Sequence, residues 1–468
     1  MHSSFINSFI ARGCRSAPTL LMISALVVAP VVHTARAQQP AVAAVSRDTI
    51  TFTDAIAIAL RQNATLKTAE NARALSTNAV ASRRQAFLPS LSLSTSEAQT
   101  LGRSFNQSEG TVVDQTTQSL NGGVSSSMSL FNATNRSALR EARLNEAASG
   151  SDLVRARQTA SFTVASDYLT LITRQEQLRV QRENLSALEA QEAQIQKLVS
   201  AGVRSISDLY QQQATTASAR SSMVSAERDV ELGRIALIQT LQLDPRATYA
   251  FVSPPVALTS QALGSPLGDL LDRAFAQRAD LSSEQTRLAA AAEAVKGASG
   301  GRLPVVSVSA GYNTAYSSAT DLALASQLNQ RRGGSLSIGV SLPIFDRGAT
   351  STATEQARLQ QDNARIALEN QRQTVALEVR RAYLDFETAR QQLVASQAQQ
   401  KAADLAVSTT QQRYQLGSST LLELTQSRAL QLQAASAVVS AQYTVVFQRA
   451  LISYYTGELD PANVSLSS

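Results

Sequence analysis

The chain states nearly the same sequence twice, 215 residues apart. Asp54, Ala59, Gln62, Ala64 and Leu66 recur as Asp269, Ala274, Gln277, Ala279 and Leu281. In the same register Leu88-Pro89 returns as Leu303-Pro304, Tyr168-Leu169 as Tyr383-Leu384, Gly202 as Gly417 and Arg234 as Arg449. Leu243-Asp244-Pro245 closes the first copy and Leu459-Asp460-Pro461 the second, slipped by one residue. Each copy is far longer than the ~20–50 residues of a solenoid repeat. The chain therefore divides into a leader at 1–37, a first structural repeat at 38–262 and a second at 263–468, each repeat being one half of a larger architecture.

The leader has the features of a signal peptide. Arg12 and Arg15 form a basic start, an apolar stretch from Leu20 to Val32 follows, and Ala35-Arg36-Ala37 supplies an A-x-A cleavage site. Pro30 interrupts the apolar run, which argues against a membrane anchor. Cleavage removes Arg12, Arg15 and Arg36, so the balance of 42 basic and 36 acidic residues falls from +6 to 39 − 36 = +3. So small an excess does not point to a nucleic-acid partner. The leader also takes Cys14, His2 and His33 with it, leaving no Cys, His or Trp. That excludes disulfides, a Ser-His-Asp triad and any metal site ligated by His or Cys. No cofactor is expected. Beyond residue 37 no segment is apolar for the ~20 residues that a membrane helix needs.

Each repeat predicts a helix, a strand pair, a very long helix, a tight turn and a return helix. Thr53-Asp54 is a capping start for a helix to about Phe87, and its counterpart runs from near Leu267 to the glycine cluster Gly297, Gly300 and Gly301. Strands are expected near 91–101, 123–131, 305–316 and 335–342, where apolar residues such as Val306, Val308, Leu336, Ile338 and Val340 alternate with serine and glycine. The polar stretches 102–121 and 317–332 predict loops. Thr134–Ser200 and Ala349–Leu416 contain no proline and, between them, the single glycine Gly150, so each can be one helix of ~100 Å. Helices that long need continuous side-by-side packing. The seam is visible in Val375, Val379, Ala382, Phe386, Ala389 and Leu393, and in Val164, Tyr168, Leu171, Gln175 and Leu178, spaced by alternating fours and threes. Gly202 and Gly417 suit the left-handed position that ends a helix, and Ser205 and Thr420 can cap the return helices, expected to run to about Leu243 and Tyr455.

The alternating strands alone fit two structures equally: a lipid-facing wall around a wet lumen, or a soluble hairpin packed on a helix. The long helices and the leader favour the first. Four strands cannot close a membrane barrel, which needs about eight or more. Three copies would supply enough, with a ring of antiparallel helices below. The fold class is therefore mainly α with a small β part: an internally duplicated, trimeric outer-membrane β-barrel with four strands per chain, continued by a long periplasmic α-helical barrel.

Over essentially the whole mature chain the sequence resembles the outer-membrane efflux protein (TolC) family. The resemblance is carried by Thr53-Asp54-Ala55-Ile56-Ala57-Ile58-Ala59-Leu60 with Asn63 and Leu66, by Phe87-Leu88-Pro89-Ser90-Leu91, by Leu342-Pro343-Ile344-Phe345-Asp346-Arg347-Gly348, and by Arg413-Tyr414-Gln415-Leu416-Gly417 through Leu424. The first strand-to-helix corner departs from the pattern: Leu130-Phe131-Asn132-Ala133-Thr134 is about two residues shorter than its counterpart.

The resemblance implies a homotrimeric exit duct of a tripartite efflux or type I secretion system. Such a duct sits in outer-membrane lipid, reaches into the periplasm and performs no chemistry of its own. Its implied partners are a periplasmic adaptor (membrane fusion) protein and an inner-membrane transporter of RND or ABC type. The turns Ala201-Gly202-Val203 and Leu416-Gly417-Ser418 would be the tips on which the adaptor docks. Asp208 and Glu423, again 215 apart, would sit at the periplasmic aperture; the family's second acidic ring falls on Gln426 and its tip arginine on Ser419. Tyr414 matches a tyrosine that hydrogen-bonds the first acid and holds the tip shut. Two other readings compete: a periplasmic coiled-coil scaffold without a barrel, and a carboxylate enzyme, for which the acids are too scattered. The cargo is not legible. A lining of metal ligands is not expected, since only Met128 and Met223 remain as soft ligands.

Overall fold

The computed structural model describes residues 49–106, 110–252, 263–320 and 322–459. The expected signal peptide, Pro254 and Pro255 of the linker, and Asp460-Pro461 lie outside the described residues. The first half runs β1 (Thr49–Ile50), α1 (Phe52–Gln62), α2 (Ala64–Gln85), β2 (Ser90–Asn106), β3 (Thr111–Phe131), α3 (Ala133–Ser200) and α4 (Ile206–Thr240). β4 (Ala250–Phe251) closes that half, and the second runs α5 (Leu267–Gln277), α6 (Ala279–Ser299), β5 (Val305–Ser317), α7 (Leu324–Gln330), β6 (Gly333–Ser341), α8 (Ala349–Gln415) and α9 (Leu421–Thr456). The order of α-helices and long strands repeats, except that α7 has no counterpart among the described residues.

The long helices are where the sequence puts them, with 68 residues in α3 and 67 in α8. α3 packs antiparallel on α4 and α8 on α9, while α6 lies against both long helices and α2 against α3. Every member of the α8 seam from Val375 to Leu393 is buried, and Phe386 at its centre is fully enclosed. The α3 seam is buried at Val164, Tyr168, Leu171 and Leu178 and half-buried at Gln175. Tyr168 also ties down the chain ends of the first half. Its hydroxyl donates to the carbonyl of Val252 (2.6 Å) and lies 3.1 Å from that of Ile50, at the two-stranded parallel sheet β1–β4. Burial pushes this phenol up to about 12.

The first helix of each half departs from expectation. α1 is capped by Thr51, not by Thr53-Asp54; Asp54 is the third helical residue, reaching back in a capping box. The helix then breaks at Asn63, whose side chain accepts from Leu66 N and donates to the carbonyl of Thr240. The second half breaks at the equivalent position, Arg278, between α5 and α6. Arg278 is almost wholly buried and paired with Asp280 and Glu378. Burial alone would raise the Asp280 carboxyl, but the hydrogen bonds and charge of Arg278 hold it below the usual range. Gly297 does not end α6, which continues to Ser299 and a short 3-10 turn, Gly300–Arg302.

The four long strands form one antiparallel sheet in the order β2-β3-β5-β6. Most of the segment expected to be a loop, 102–121, is strand instead. The β2–β3 register runs unbroken from Ser90↔Ser127 to Asn106↔Thr111, because a backbone ladder does not require apolar side chains. The expected loop 317–332 contains α7, anchored by the fully buried Gln327, whose amide accepts from Ser317 N and donates to the carbonyls of Ser317 and Leu322, with that of Thr320 at 3.3 Å.

One face of the sheet is apolar. The row Leu91–Ser126–Ala310–Leu336 is followed by Leu93–Val124–Tyr312–Gly334. On the other face a row of serines, Ser90–Ser127–Ser309–Ser337, crosses all four strands, with hydroxyl pairs at 2.9 Å (Ser90–Ser127) and 2.7 Å (Ser309–Ser337).

The first strand-to-helix corner is the shorter, as expected, but by six intervening residues and not two. In the first, Asn132 alone separates β3 from α3 and caps it by accepting from Asn135 N at 3.1 Å. In the second, residues 342–348 intervene, with Arg347 and Gly348 both left-handed (φ 54° and 83°). There Asp346 caps α8, accepting from the amides of Gly348 (3.0 Å) and Thr350 (2.8 Å).

Candidate functional site at the helix tips

Both long helices end in the same device. Gly202 (φ 72°) follows α3 and Gly417 (φ 78°) follows α8. The amide of Gly202 donates to the Val199 carbonyl at 2.9 Å and that of Val203 to Leu198 at 2.8 Å; Gly417 and Ser418 repeat this on Tyr414 (3.1 Å) and Arg413 (2.8 Å). These are paired Schellman bonds, which need a left-handed residue that glycine supplies without strain. Ser205 and Thr420 then cap the return helices, Ser205 accepting from Ser207 N and Thr420 from Glu423 N, both at 3.2 Å. All six predicted docking residues, Ala201, Gly202, Val203, Leu416, Gly417 and Ser418, are exposed.

Above the tips the two hairpins meet in a small apolar cluster of Ile195, Leu209, Tyr414, Leu421 and Leu424. Tyr414 is buried in it, and its hydroxyl has no hydrogen-bond partner. The expected bond from Tyr414 to Asp208 is therefore not formed within the protomer. Asp208, half-buried in the first turn of α4, acts on the phenol only through its charge. Burial raises the Tyr414 pKa first, the charge of Asp208 adds to it, and Arg204 opposes both.

Arg204 makes the link between the hairpins. Its Nη2 donates to the Tyr414 carbonyl at 2.7 Å, and its guanidinium lies over the Tyr414 ring, 4.3 Å from the centroid. Sequence reasoning did not single out Arg204. One signal pointed to it: it occupies the first-repeat position equivalent to Ser419 (419 − 204 = 215), where the tip arginine was expected.

Glu423 and Gln426 lie one turn apart on α9 and both are exposed. The Ser419 hydroxyl donates to the Glu423 carboxylate. That bond comes first in holding the carboxyl below the usual range, with the backbone amide of Thr420 and the charge of Arg413 adding to it. The tip thus presents a carboxylate that is harder to protonate than a free glutamate. Among the described residues no group of His, Cys, Asp or Glu could hold a metal ion.

Comparison with known proteins agrees with this layout. The profile of the family described as "Outer membrane efflux protein" matches residues 55–241 and again 270–458. The outer membrane efflux protein BepC of Brucella suis is 23% identical over 420 residues, covering 89% of this chain and 87% of BepC. Outer membrane protein TolC of Vibrio cholerae is 22% identical over 391 residues, covering 82% of this chain and 86% of TolC. Among solved structures, the CmeC outer membrane channel of Campylobacter jejuni superposes with a TM-score of 0.74 at 19% identity, covering 87% of this chain and 85% of CmeC. The family profile spans most of the chain in two matched halves, over helices, sheet and tips alike, and the chain belongs to the outer membrane efflux protein family, whose members are efflux channels of the outer membrane that extend into the periplasm.

Proposed function

We propose that the chain works as a homotrimer whose twelve strands close a barrel in outer-membrane lipid and whose helix pairs form a periplasmic duct. The tips Ala201–Val203 and Leu416–Ser418 receive a periplasmic adaptor, which couples the duct to an inner-membrane transporter of RND or ABC type. The duct is passive and performs no chemistry. The two halves, 38–262 and 263–468, descend from one duplicated unit.

The observation that carries the reading is the apolar face of the sheet. It is free of charged residues from the Val306–Val340 row to the row of Leu120 and Tyr316, where Glu97 ends it. Ten residues of strand at ~3.3 Å each, tilted by ~40°, give a band about 25 Å tall, the height of the lipid-facing band of an outer-membrane barrel. β2 and β6 are open edges of the sheet. Unpaired backbone groups are too costly in lipid to leave open, and pairing β6 of one protomer with β2 of the next removes them. A stripe on α8 supports the same assembly. Leu359, Ile366, Leu377, Leu384 and Leu405, separated by 7, 11, 7 and 21 residues, share one exposed face opposite the buried seam. The competing scaffold without a barrel leaves both the band and the edges unexplained.

A charge in mid-band tests the barrel. The register sets Leu336 opposite Ala310, near the middle, and Ile338 opposite Val308, nearer the helices. Leu336→Arg is expected to cost ~2–4 kcal/mol of stability in a bilayer and Ile338→Arg less. Equal, undiminished assembly of both variants in liposomes, read by gel mobility with and without heating, would count against a lipid-facing band.

The docking role separates from the capping role at the tips. Gly417→Ala strains the turn by about 1 kcal/mol, whereas Ser418→Trp adds bulk where the backbone conformation is ordinary. Both variants should assemble and insert, and Ser418→Trp should lose most export activity in cells. Full export by Ser418→Trp would remove the tip from the docking surface.

At the aperture, Arg204→Ala removes a hydrogen bond worth ~1 kcal/mol per protomer. Single-channel conductance in planar bilayers should rise, while Tyr414→Phe, which deletes a hydroxyl without a partner, should leave it unchanged. The reverse pattern would restore the tyrosine as the latch.

Charge at the aperture has a pH signature. A carboxyl held below its ordinary value stays charged above that lowered value and loses its charge only as the pH falls through it. Cation preference should therefore persist to a lower pH than a free glutamate would allow. It should vanish in Glu423→Gln and fade at a higher pH in Ser419→Ala. Reversal potentials under a salt gradient, measured across a pH series, provide the check; unaltered selectivity in Glu423→Gln would make Glu423 an ordinary surface residue.

A further inference from the structure

The end of the sheet that leads into the helices carries a collar of arginines which the channel reading leaves unused. All four passages between sheet and helix contain one: Arg83 and Arg84 in the last turn of α2, Arg136 in the first turn of α3, Arg302 in the 3-10 turn before β5, and Arg347 just ahead of α8. The register Ser90↔Ser127, Phe131↔Val306 and Val305↔Ser341 brings all four passages to the same end of the sheet.

The five side chains are exposed, and among the described residues none is in an ion pair. The neighbouring acids are already engaged. Asp346 caps α8, and Glu293 is shared by Lys296 and Arg140. Arg136 and Arg347 also stand at helix N-termini, where the helix dipole disfavours a cation. Nothing within the protomer accounts for their charge.

Large apolar side chains alternate with these arginines. Ile344 and Phe345 are 88% and 84% exposed, and Leu88 and Leu303 stand open beside Arg84 and Arg302. Water gives such a mixture no advantage. At a bilayer surface the apolar groups enter the acyl boundary while the guanidinium groups reach the phosphates. The apolar band of the sheet begins at this level, with Val306 and Val340.

We propose that the collar binds the phosphate groups of anionic phospholipids in the leaflet nearest the helices, and so fixes the depth at which the barrel sits. The proposal rests on the barrel reading above. A planar guanidinium makes paired hydrogen bonds to phosphate, and clustered basic residues at a membrane surface favour anionic over zwitterionic lipid.

The test compares the full-length wild-type protein with two variants, in which Arg83, Arg84, Arg302 and Arg347 are all replaced by Gln or all by Lys. Each is reconstituted into vesicles of phosphatidylcholine alone and of phosphatidylcholine with a minority of phosphatidylglycerol. Electron paramagnetic resonance of spin-labelled lipid reads the preference of the protein surface for each headgroup at low and high salt. The wild type is expected to hold phosphatidylglycerol several-fold more strongly than phosphatidylcholine, with the preference weakened by salt. The Gln variant, which keeps only Arg136, should lose most of the preference, and the Lys variant should keep more of it. A Gln variant that retains the wild-type preference, or a wild type that shows none, overturns the proposal. If the wild type shows none and the Gln variant no longer assembles, the collar is covered by a second copy of the chain, which overturns it equally. Failure of the wild type to insert into either vesicle would sink the barrel reading itself.

Discussion

Everything in this chain depends on the burial of one narrow seam along helices of about 100 Å. No helix of that length is sustained by local preference. The seam in α8, Val375 to Leu393, is almost closed to solvent, yet much of it is small: valine and alanine, with Phe386 and Leu393 as the large exceptions. Small residues let α8 and α9 approach closely and leave the remaining faces for other neighbours. Where that packing is in place, the sheet at one end and the tips at the other are held at a fixed separation, and a change at either end reaches the other only through the helices.

The two halves are most informative where they differ. At the break in the first helix pair, Asn63 satisfies backbone groups, while its counterpart Arg278 is buried with two carboxylates. At the tip, an arginine stands at position 204 and a serine at 419. The serine engages Glu423 and the arginine reaches across to Tyr414, so the two hairpins have different jobs within one geometry. At the corners, one residue on one side and a capped loop on the other deliver the long helices nearly in register, 216 residues apart at their starts.

The long helices, their seams, the glycine turns and the caps at Ser205 and Thr420 were legible because each follows from local periodicity or from a residue with special backbone chemistry. The helix breaks at Asn63 and Arg278 were not, since neither proline nor glycine marks them. The polar reaches of β2 and β3 resemble loops in sequence because side-chain alternation fades there, while the backbone ladder that defines a strand leaves no trace in the sequence. The Tyr414 hydroxyl was assigned a bond by resemblance, but its surroundings depend on which side chains of three helices converge on it. The contact of Arg204 with the Tyr414 carbonyl spans 210 residues, a distance that no local pattern encodes.

The serine row across the sheet has a consequence for anything that passes along it. A wall of bare hydroxyls would offer a passing solute a new hydrogen bond at each step and slow it. Here serine faces serine, Ser90 with Ser127, Ser92 with Ser125 and Ser309 with Ser337, so much of the surface's bonding capacity is spent within the wall. In the proposed barrel that face lines the lumen, and its paired hydroxyls leave a passing solute fewer bonding partners than bare ones would.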